Sequence, residues 1–280
     1  MRWSMVQRYL GLTMLLAAAQ IPLAASAIYA ISSFGEGWTG RQELYGIDPI
    51  TGVLTRVGPV MDGSRPAGLD SLAFSPSLGL YGVGHGDLYD INTSNGHVTE
   101  IGALGANLSA LVYGPNGALY GTAGNRLYSV DPATGKASLI GMGNYGPPES
   151  LEFDATGVLY ATVGGSGVNS LYRIDPATGA GTLVGRIGFR DVQGLAFVNG
   201  TMFGFTGSGL EIAINLTNGS GTFVREVGIG FTATAADPPE APEPASLWLA
   251  GAGLAGLWRW RTLQRCLRHS PSAPFNSAPP

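Results

Sequence analysis

The feature that most constrains this chain is a phrase that it repeats. Leu44-Tyr45-Gly46-Ile47-Asp48-Pro49-Ile50-Thr51-Gly52 returns as Leu88-Tyr89-Asp90-Ile91-Asn92 through Gly96, then as Leu127-Tyr128-Ser129-Val130-Asp131-Pro132-Ala133-Thr134-Gly135, then as Leu171-Tyr172-Arg173-Ile174-Asp175-Pro176-Ala177-Thr178-Gly179. A worn fifth copy is Glu211-Ile212-Ala213-Ile214-Asn215 through Gly219, and successive copies begin 39 to 44 residues apart. A period near 40 with strand-like content points to a propeller or a related array, whose single unit cannot bury its apolar faces alone.

Each copy has the same internal order. The aliphatic-aromatic run alternates as a strand, and Asp-Pro-x-Thr-Gly then turns the chain: Asp or Asn accepts from backbone amides ahead, Pro presets its dihedral, and Gly admits positive φ. A second strand follows, ending at Gly58, Gly102, Gly141 or Gly185, which completes a hairpin. Two strands precede each hairpin. The first appears at Ser71-Leu72-Ala73-Phe74, Ala110-Leu111-Val112-Tyr113, Ser150-Leu151-Glu152-Phe153 and Gly194-Leu195-Ala196-Phe197. The next appears at Leu80-Tyr81-Gly82, Leu119-Tyr120-Gly121, Leu159-Tyr160-Ala161 and Met202-Phe203-Gly204. Four short antiparallel strands per period make one blade, so residues 28–236 are expected to form an all-β, five-bladed propeller.

The first copy lacks its innermost strand, because only Ile28-Tyr29-Ala30-Ile31 and the loop through Trp38 precede its hairpin. Gly228 to Ala236 has strand composition and no hairpin after it, so it is expected to pair into the first blade and close the ring. Two places carry extra residues, Met61 to Gly68 and Gly164 to Ser170. They are expected to be surface loops, where sites are commonly added. The repeats distantly resemble NHL-type and PQQ-type propeller repeats, the Tyr-x-Ile-Asp-x-x-Thr-Gly core being closest to the latter. The tryptophan that ends PQQ-type repeats is replaced here by the four glycines, and only the architecture is carried over.

The two ends of the chain are of different composition. Arg2 and Arg8, the apolar run Leu10 to Ala19 and Ala25-Ser26-Ala27 read as a secretory signal peptide over 1–27, cleaved after Ala27, with Ala25 and Ala27 as the small residues of the site. At the other end, a linker over 237–244 carries Pro242-Glu243-Pro244. An apolar helix over 245–260 follows, then a basic and polar cytoplasmic tail over 261–280, with Arg259, Arg261, Arg265 and Arg268 as the positive stop. Residues 237–268 resemble the PEP-CTERM sorting signal of Gram-negative bacteria. That resemblance implies recognition by an exosortase, a transient inner-membrane anchor, and delivery to the periplasm, outer surface or extracellular matrix. It also implies an association with exopolysaccharide.

Charge is segregated along the chain. All 19 acidic residues lie between Ile28 and Pro244, against eight arginines and Lys136. A domain so acidic repels phosphate backbones, which excludes nucleic acid as a partner. The one cysteine, Cys266, lies beyond the apolar segment, leaving the exported part without a disulfide, a thiol nucleophile or a cysteine metal site.

Most of the chain's polar and titratable residues have structural roles. Asp48, Asp131 and Asp175 share one turn position and are expected to satisfy local amides. His85 and His97 have no ligand or triad spacing, so no metal, cofactor or catalytic residue is expected. Tyr45, Tyr89, Tyr128 and Tyr172, with Tyr81, Tyr120 and Tyr160, recur at fixed positions and are expected to pack between blades. Trp38, Tyr145, Arg190 and Asp191 lie outside the repeat and are the candidates for a face that binds sugar or peptide. Three functions remain: a non-enzymatic surface protein that binds extracellular polymer or envelope proteins, an enzyme acting on polysaccharide, and a small-ligand sensor. Two facing carboxylates at the channel mouth, from Asp70, Glu149, Glu152 or Asp191, would favour the enzyme.

Overall fold

The computed structural model describes residues 28–33, 41–165 and 167–236. The expected signal peptide at 1–27, the apolar helix at 245–260, the sorting triplet, the arginine stop and Trp38 lie outside them. The described residues form 22 strands and no helix.

The first blade holds β1 (Ile28–Ser32), β2 (Glu43–Ile47) and β3 (Leu54–Pro59). A two-stranded insertion, β4 (Met61–Asp62) and β5 (Arg65–Pro66), precedes the second blade, which holds β6 (Ser71–Ser75), β7 (Gly79–Gly84), β8 (Asp87–Ile91) and β9 (His97–Ala103). The third comprises β10 (Ala110–Tyr113), β11 (Leu119–Ala123), β12 (Arg126–Val130) and β13 (Ala137–Met142). The fourth comprises β14 (Pro148–Phe153), β15 (Leu159–Val163), β16 (Val168–Ile174) and β17 (Gly181–Arg190). The fifth comprises β18 (Val192–Val198), β19 (Thr201–Thr206), β20 (Leu210–Ile214) and β21 (Gly221–Glu226), and β22 (Phe231–Ala235) ends the described chain. Strand β22 pairs antiparallel with β1, Tyr29 opposite Ala235, and supplies the missing innermost strand of the first blade. The chain is a closed five-bladed propeller. Of the two insertions, the first becomes the β4–β5 hairpin, with β4 running parallel to β9.

The Leu-Tyr pair of the repeat explains why blades stack. Successive side chains of a strand point to opposite faces. Leu44, Leu88, Leu127 and Leu171 each face the next blade, whereas Tyr45, Tyr89, Tyr128 and Tyr172 face the previous one. Five apolar clusters result, one in each gap between adjacent blades, and the fifth joins Phe205 of the last blade to Tyr45 of the first. Inner strands of neighbouring blades do not form a common ladder, and side chains bridge them. Ser71 Oγ accepts from the Leu111 amide at 2.9 Å, Ser150 Oγ accepts from the Leu195 amide at 2.9 Å, and Thr234 Oγ1 donates to the Leu195 carbonyl at 2.8 Å. Buried backbone groups are thereby satisfied.

The turns behave as their residues predict. Asp131 Oδ1 accepts from the Ala133 amide at 3.0 Å and Oδ2 from the Thr134 hydroxyl at 2.7 Å, and Asp175 does the same with Ala177 and Thr178. Asp48 Oδ1 accepts from the amides of Ile50 and Thr51, both at 2.9 Å. These bonds hold all three carboxyls below the usual aspartate range, the Thr51 amide leading for Asp48 and the threonine hydroxyl for Asp131 and Asp175. The final glycine of each turn, from Gly52 (φ 71°) to Gly219 (φ 79°), needs the left-handed region.

The glycines that stand where a PQQ-type repeat would have tryptophan prove to be contact points. A Cβ on Gly58, Gly102, Gly141 or Gly185 would strike the carbonyl oxygen of Asn95, Thr134, Thr178 or Asn218, each in the turn of the following blade. Backbone thus lies on backbone at four of the five blade interfaces. At the fifth, where the last blade meets the first, the pattern changes. Glu211 stands in the position of the leucine and Arg225 in that of the glycine opposite it, as the registers Leu171↔Gly185 and Glu211↔Arg225 show. Arg225 Nε lies 3.1 Å from Glu211 Oε2, and its Nη1 donates at 3.0 Å to the carbonyl of Ile50, in the turn of the first blade. The ring is closed by an ion pair where the other joints use leucine and glycine.

Arg225→Ala is expected to cost about 3 kcal/mol, because Glu211, 2% exposed at its side chain, keeps a buried charge without its cation. Restoring the pair used in the other blades, Glu211→Leu with Arg225→Gly, is expected to stay within about 1 kcal/mol of the parent. Urea unfolding of the three proteins measures both.

Candidate functional site

The inner strands converge on one axis and all run the same way along it, so the residue before each repeated inner-strand core, which begins at Ser71, Ala110, Ser150, Gly194 and, in the closing strand, Ala233, lies at the same end of the channel. Those five positions hold Asp70, Ser109, Glu149, Gln193 and Thr232, and all five line one open cavity of about 670 Å³. Gly146, Pro147 and Pro148 form one side of the mouth, and Val163, Gly164 and Gly165 another. Gly164 and Gly165 belong to the sequence's second insertion, so the added loop is a wall of the cavity. The opposite end of the channel is filled. Leu72, Leu111, Leu151 and Thr234, with Phe74, Tyr113 and Ala236, surround a space of about 10 Å³.

The mouth is braced from behind. Asn169 is fully buried. Its Nδ2 donates to Glu149 Oε2 at 2.6 Å, and its Oδ1 accepts from the Val192 amide at 3.1 Å. One amide therefore fixes a carboxylate on the fourth blade to the first residue of the next inner strand. Burial raises the Glu149 pKa against the bonds from Asn169 and the Gly165 amide, and the nearby Asp191 charge raises it further. Burial also raises Asp70, and the nearby His85 opposes that shift. Asp70 and Glu149 thus sit in one cavity, in different settings and on different blades. No cation lines the cavity, and among the described residues no three metal-binding side chains gather.

Deeper in the channel lies a carboxyl that the repeats do not explain. Glu152 pairs with Tyr160 as Ala73 pairs with Tyr81, Val112 with Tyr120 and Ala196 with Phe203. It is the single acid at a position that is otherwise Ala or Val. Glu152 is 4% exposed, and its Oε1 accepts from the Phe153 amide at 2.9 Å. Burial pushes its pKa up to about 8, against its backbone hydrogen bonds.

The residues outside the repeat are distributed unevenly. Tyr145 does not line the mouth: it is 5% exposed, packed in the gap between the third and fourth blades with its ring 5.9 Å from that of Tyr172. The prolines after it come to the cavity instead. A tyrosine next to Pro-Pro reads as loop material only until the blade interface is built around it. Arg190 ends β17 and is exposed. Asp191 takes positive φ (58°), and its Oδ1 accepts from Gln193 Nε2 at 2.6 Å, so it orients a residue of the mouth without lining it. Ser109, Gln193 and Thr232 were not candidates from sequence. The signal that marks them is the residue in front of each repeated inner-strand core, which is polar five times and different each time.

The pH dependence of stability follows from Glu152. A carboxyl whose folded pKa lies above its unfolded value favours folding at low pH, and the ionised form resists burial. Stability is expected to fall as pH rises from about 4.5 to about 8. The loss is on the order of a few kcal/mol. Glu152→Gln is expected to raise the melting temperature at pH 8 by several degrees and to leave it nearly unchanged at pH 4.5, as thermal melts at the two pH values would record.

The PEP-CTERM protein-sorting motif matches residues 240–262. No curated protein matches the sequence. Among solved structures, the chain is similar to one from a study of the de novo evolutionary emergence of a symmetrical protein, at 25% identity and TM-score 0.49, covering 76% of this chain and 99% of that one. It is similar to a virginiamycin B lyase from Staphylococcus aureus, at 17% identity and TM-score 0.40, over 71% and 70% of the two chains. A chain of a nidogen/laminin complex matches at 13% identity and TM-score 0.47, over 77% and 100%. At these levels the likenesses say nothing of what this chain binds. The C-terminal match, the five closed blades and the acidic exported part together describe a five-bladed propeller that carries a PEP-CTERM sorting motif, of the kind processed by an exosortase, and that passes the membrane to be sorted to the cell surface.

Proposed function

We propose that the propeller is a non-enzymatic surface protein that holds a hydroxyl-rich extracellular polymer, of the exopolysaccharide kind, in its channel mouth. The observation that carries this reading is the set Asp70, Ser109, Glu149, Gln193 and Thr232 on one cavity. Blade packing repeats the residues that it needs, and here it repeats nothing but polarity. Carboxylates and hydroxyls accept from sugar hydroxyls, and the amide and hydroxyls donate back. Pro147, Pro148 and Val163 offer apolar patches for the carbon faces. Asn169 keeps Glu149 in place before a ligand arrives, which reduces the ordering cost of binding.

A panel of immobilised bacterial polysaccharides, probed with the purified protein and with Asp70→Asn and Glu149→Gln, tests the reading. Each substitution is expected to weaken binding about tenfold, since losing one hydrogen bond to a charged group costs roughly 1.5 kcal/mol or more. Failure to retain any polysaccharide, or full binding by both variants, would remove the proposal.

A second reading rests on Asp70 and Glu149 lining the same cavity. Two carboxylates of unequal environment can divide acid and base roles in cleaving a glycosidic bond. Release of reducing ends from a polysaccharide retained by the panel, abolished by Glu149→Gln, would favour an enzyme over a binding protein.

A further inference from the structure

The direction of the last strand decides from which end of the propeller the chain leaves toward its sorting motif. Strand β22 begins beside Thr232, which lines the open mouth, and runs to Ala235 and Ala236, which line the filled end of the channel. The chain therefore leaves the propeller at the end opposite the mouth. Only Asp237 to Ala241 separate that exit from Pro242-Glu243-Pro244. Five residues span at most about 17 Å.

The strand order says which turns share the exit face. Each inner strand runs from mouth to filled end, its partner returns, and the third strand runs down again. The turns that follow these third strands, at Asp48, Asn92, Asp131, Asp175 and Asn215, accordingly lie on the exit face. The loops at His85, Asn125, Gly164 and Ser208, between the second and third strands, lie on the mouth face.

We propose that, while the sorting segment holds the chain in the membrane, the face bearing the Asp-Pro-x-Thr-Gly turns is turned toward the lipid surface, within the reach of the spacer, and the channel mouth is displayed away from it. The turn face carries the carboxylates of Asp48, Asp131 and Asp175, exposed and fully ionised near neutrality. Facing anionic headgroups they repel, so the ring stands at the limit of its spacer and the sorting triplet stays open to the enzyme that reads it. The mouth meets extracellular polymer before processing as well as after it. This orientation rests on the placement of the sorting motif and not on which ligand the mouth takes.

Single-cysteine labelling tests it on the full chain, in spheroplasts without the processing enzyme. Cys266 is the one native cysteine and is first replaced, Cys266→Ser. Exposed positions on the turn face, Ala133→Cys and Ala177→Cys, are compared with Ser208→Cys on the mouth face. The probe is a maleimide on a large, membrane-impermeant polymer. The mouth-face cysteine is expected to react at least tenfold faster than either turn-face cysteine while the chain is membrane-held. The rates are expected to come within twofold when the same variants end at Ala241. Equal rates in the membrane-held chain, or faster reaction on the turn face, would overturn the proposal. A failure of polysaccharide binding with the labelling difference intact would leave it standing.

Discussion

A blade of this propeller has two apolar faces and therefore needs a neighbour on each side. Leucine points forward and tyrosine backward from the same strand, so a single four-stranded sheet would expose both sets to water. A stack of such sheets is stable only if it closes. Strand β22 achieves closure by pairing with β1 across the length of the domain, and the site, the exit face and the joints between blades all depend on it. The cost is the long loop that must be closed first, which grows slowly with length and is offset once by the fifth apolar cluster.

Closure also explains why one joint differs from the rest. Four blade interfaces connect neighbours in sequence, and there a glycine lets the next turn lie on the backbone. The fifth brings together residues 175 apart. It carries an ion pair and a bond to a carbonyl, which have direction, where Leu and Gly offer only fit.

The repeat also accounts for where the cavity lies. Ladders and blade gaps fix most side chains of a blade by packing, and these recur as Leu, Tyr, Asp and Gly. The residue ahead of each inner-strand core lies where the strands converge and leave a mouth between them. Its identity is free of the repeat. Asp70, Ser109, Glu149, Gln193 and Thr232 are each polar and each different, and the Gly164 insertion and the Asn169 brace gather on the same mouth.

Strand period, turn chemistry and spacing are local properties. The sequence by itself therefore determined the blade, the count of five, the closing strand at the C-terminus, the turn role of the aspartates and the sorting motif that follows. Only the tertiary structure decided what those elements bring together. Tyr145 was legible as a residue outside the repeat, and its burial was not, since the gap that takes it in is built by two blades. Asp70 and Glu149 could be named from their place before a strand, but Ser109, Gln193 and Thr232 join them only once five strands meet on one axis. Glu211 and Arg225 look like wear in a fading repeat until the ring sets them at the seam. The physical reason is the same in each case: these residues act on partners tens to hundreds of positions away, and only closure of the ring sets the distance between them.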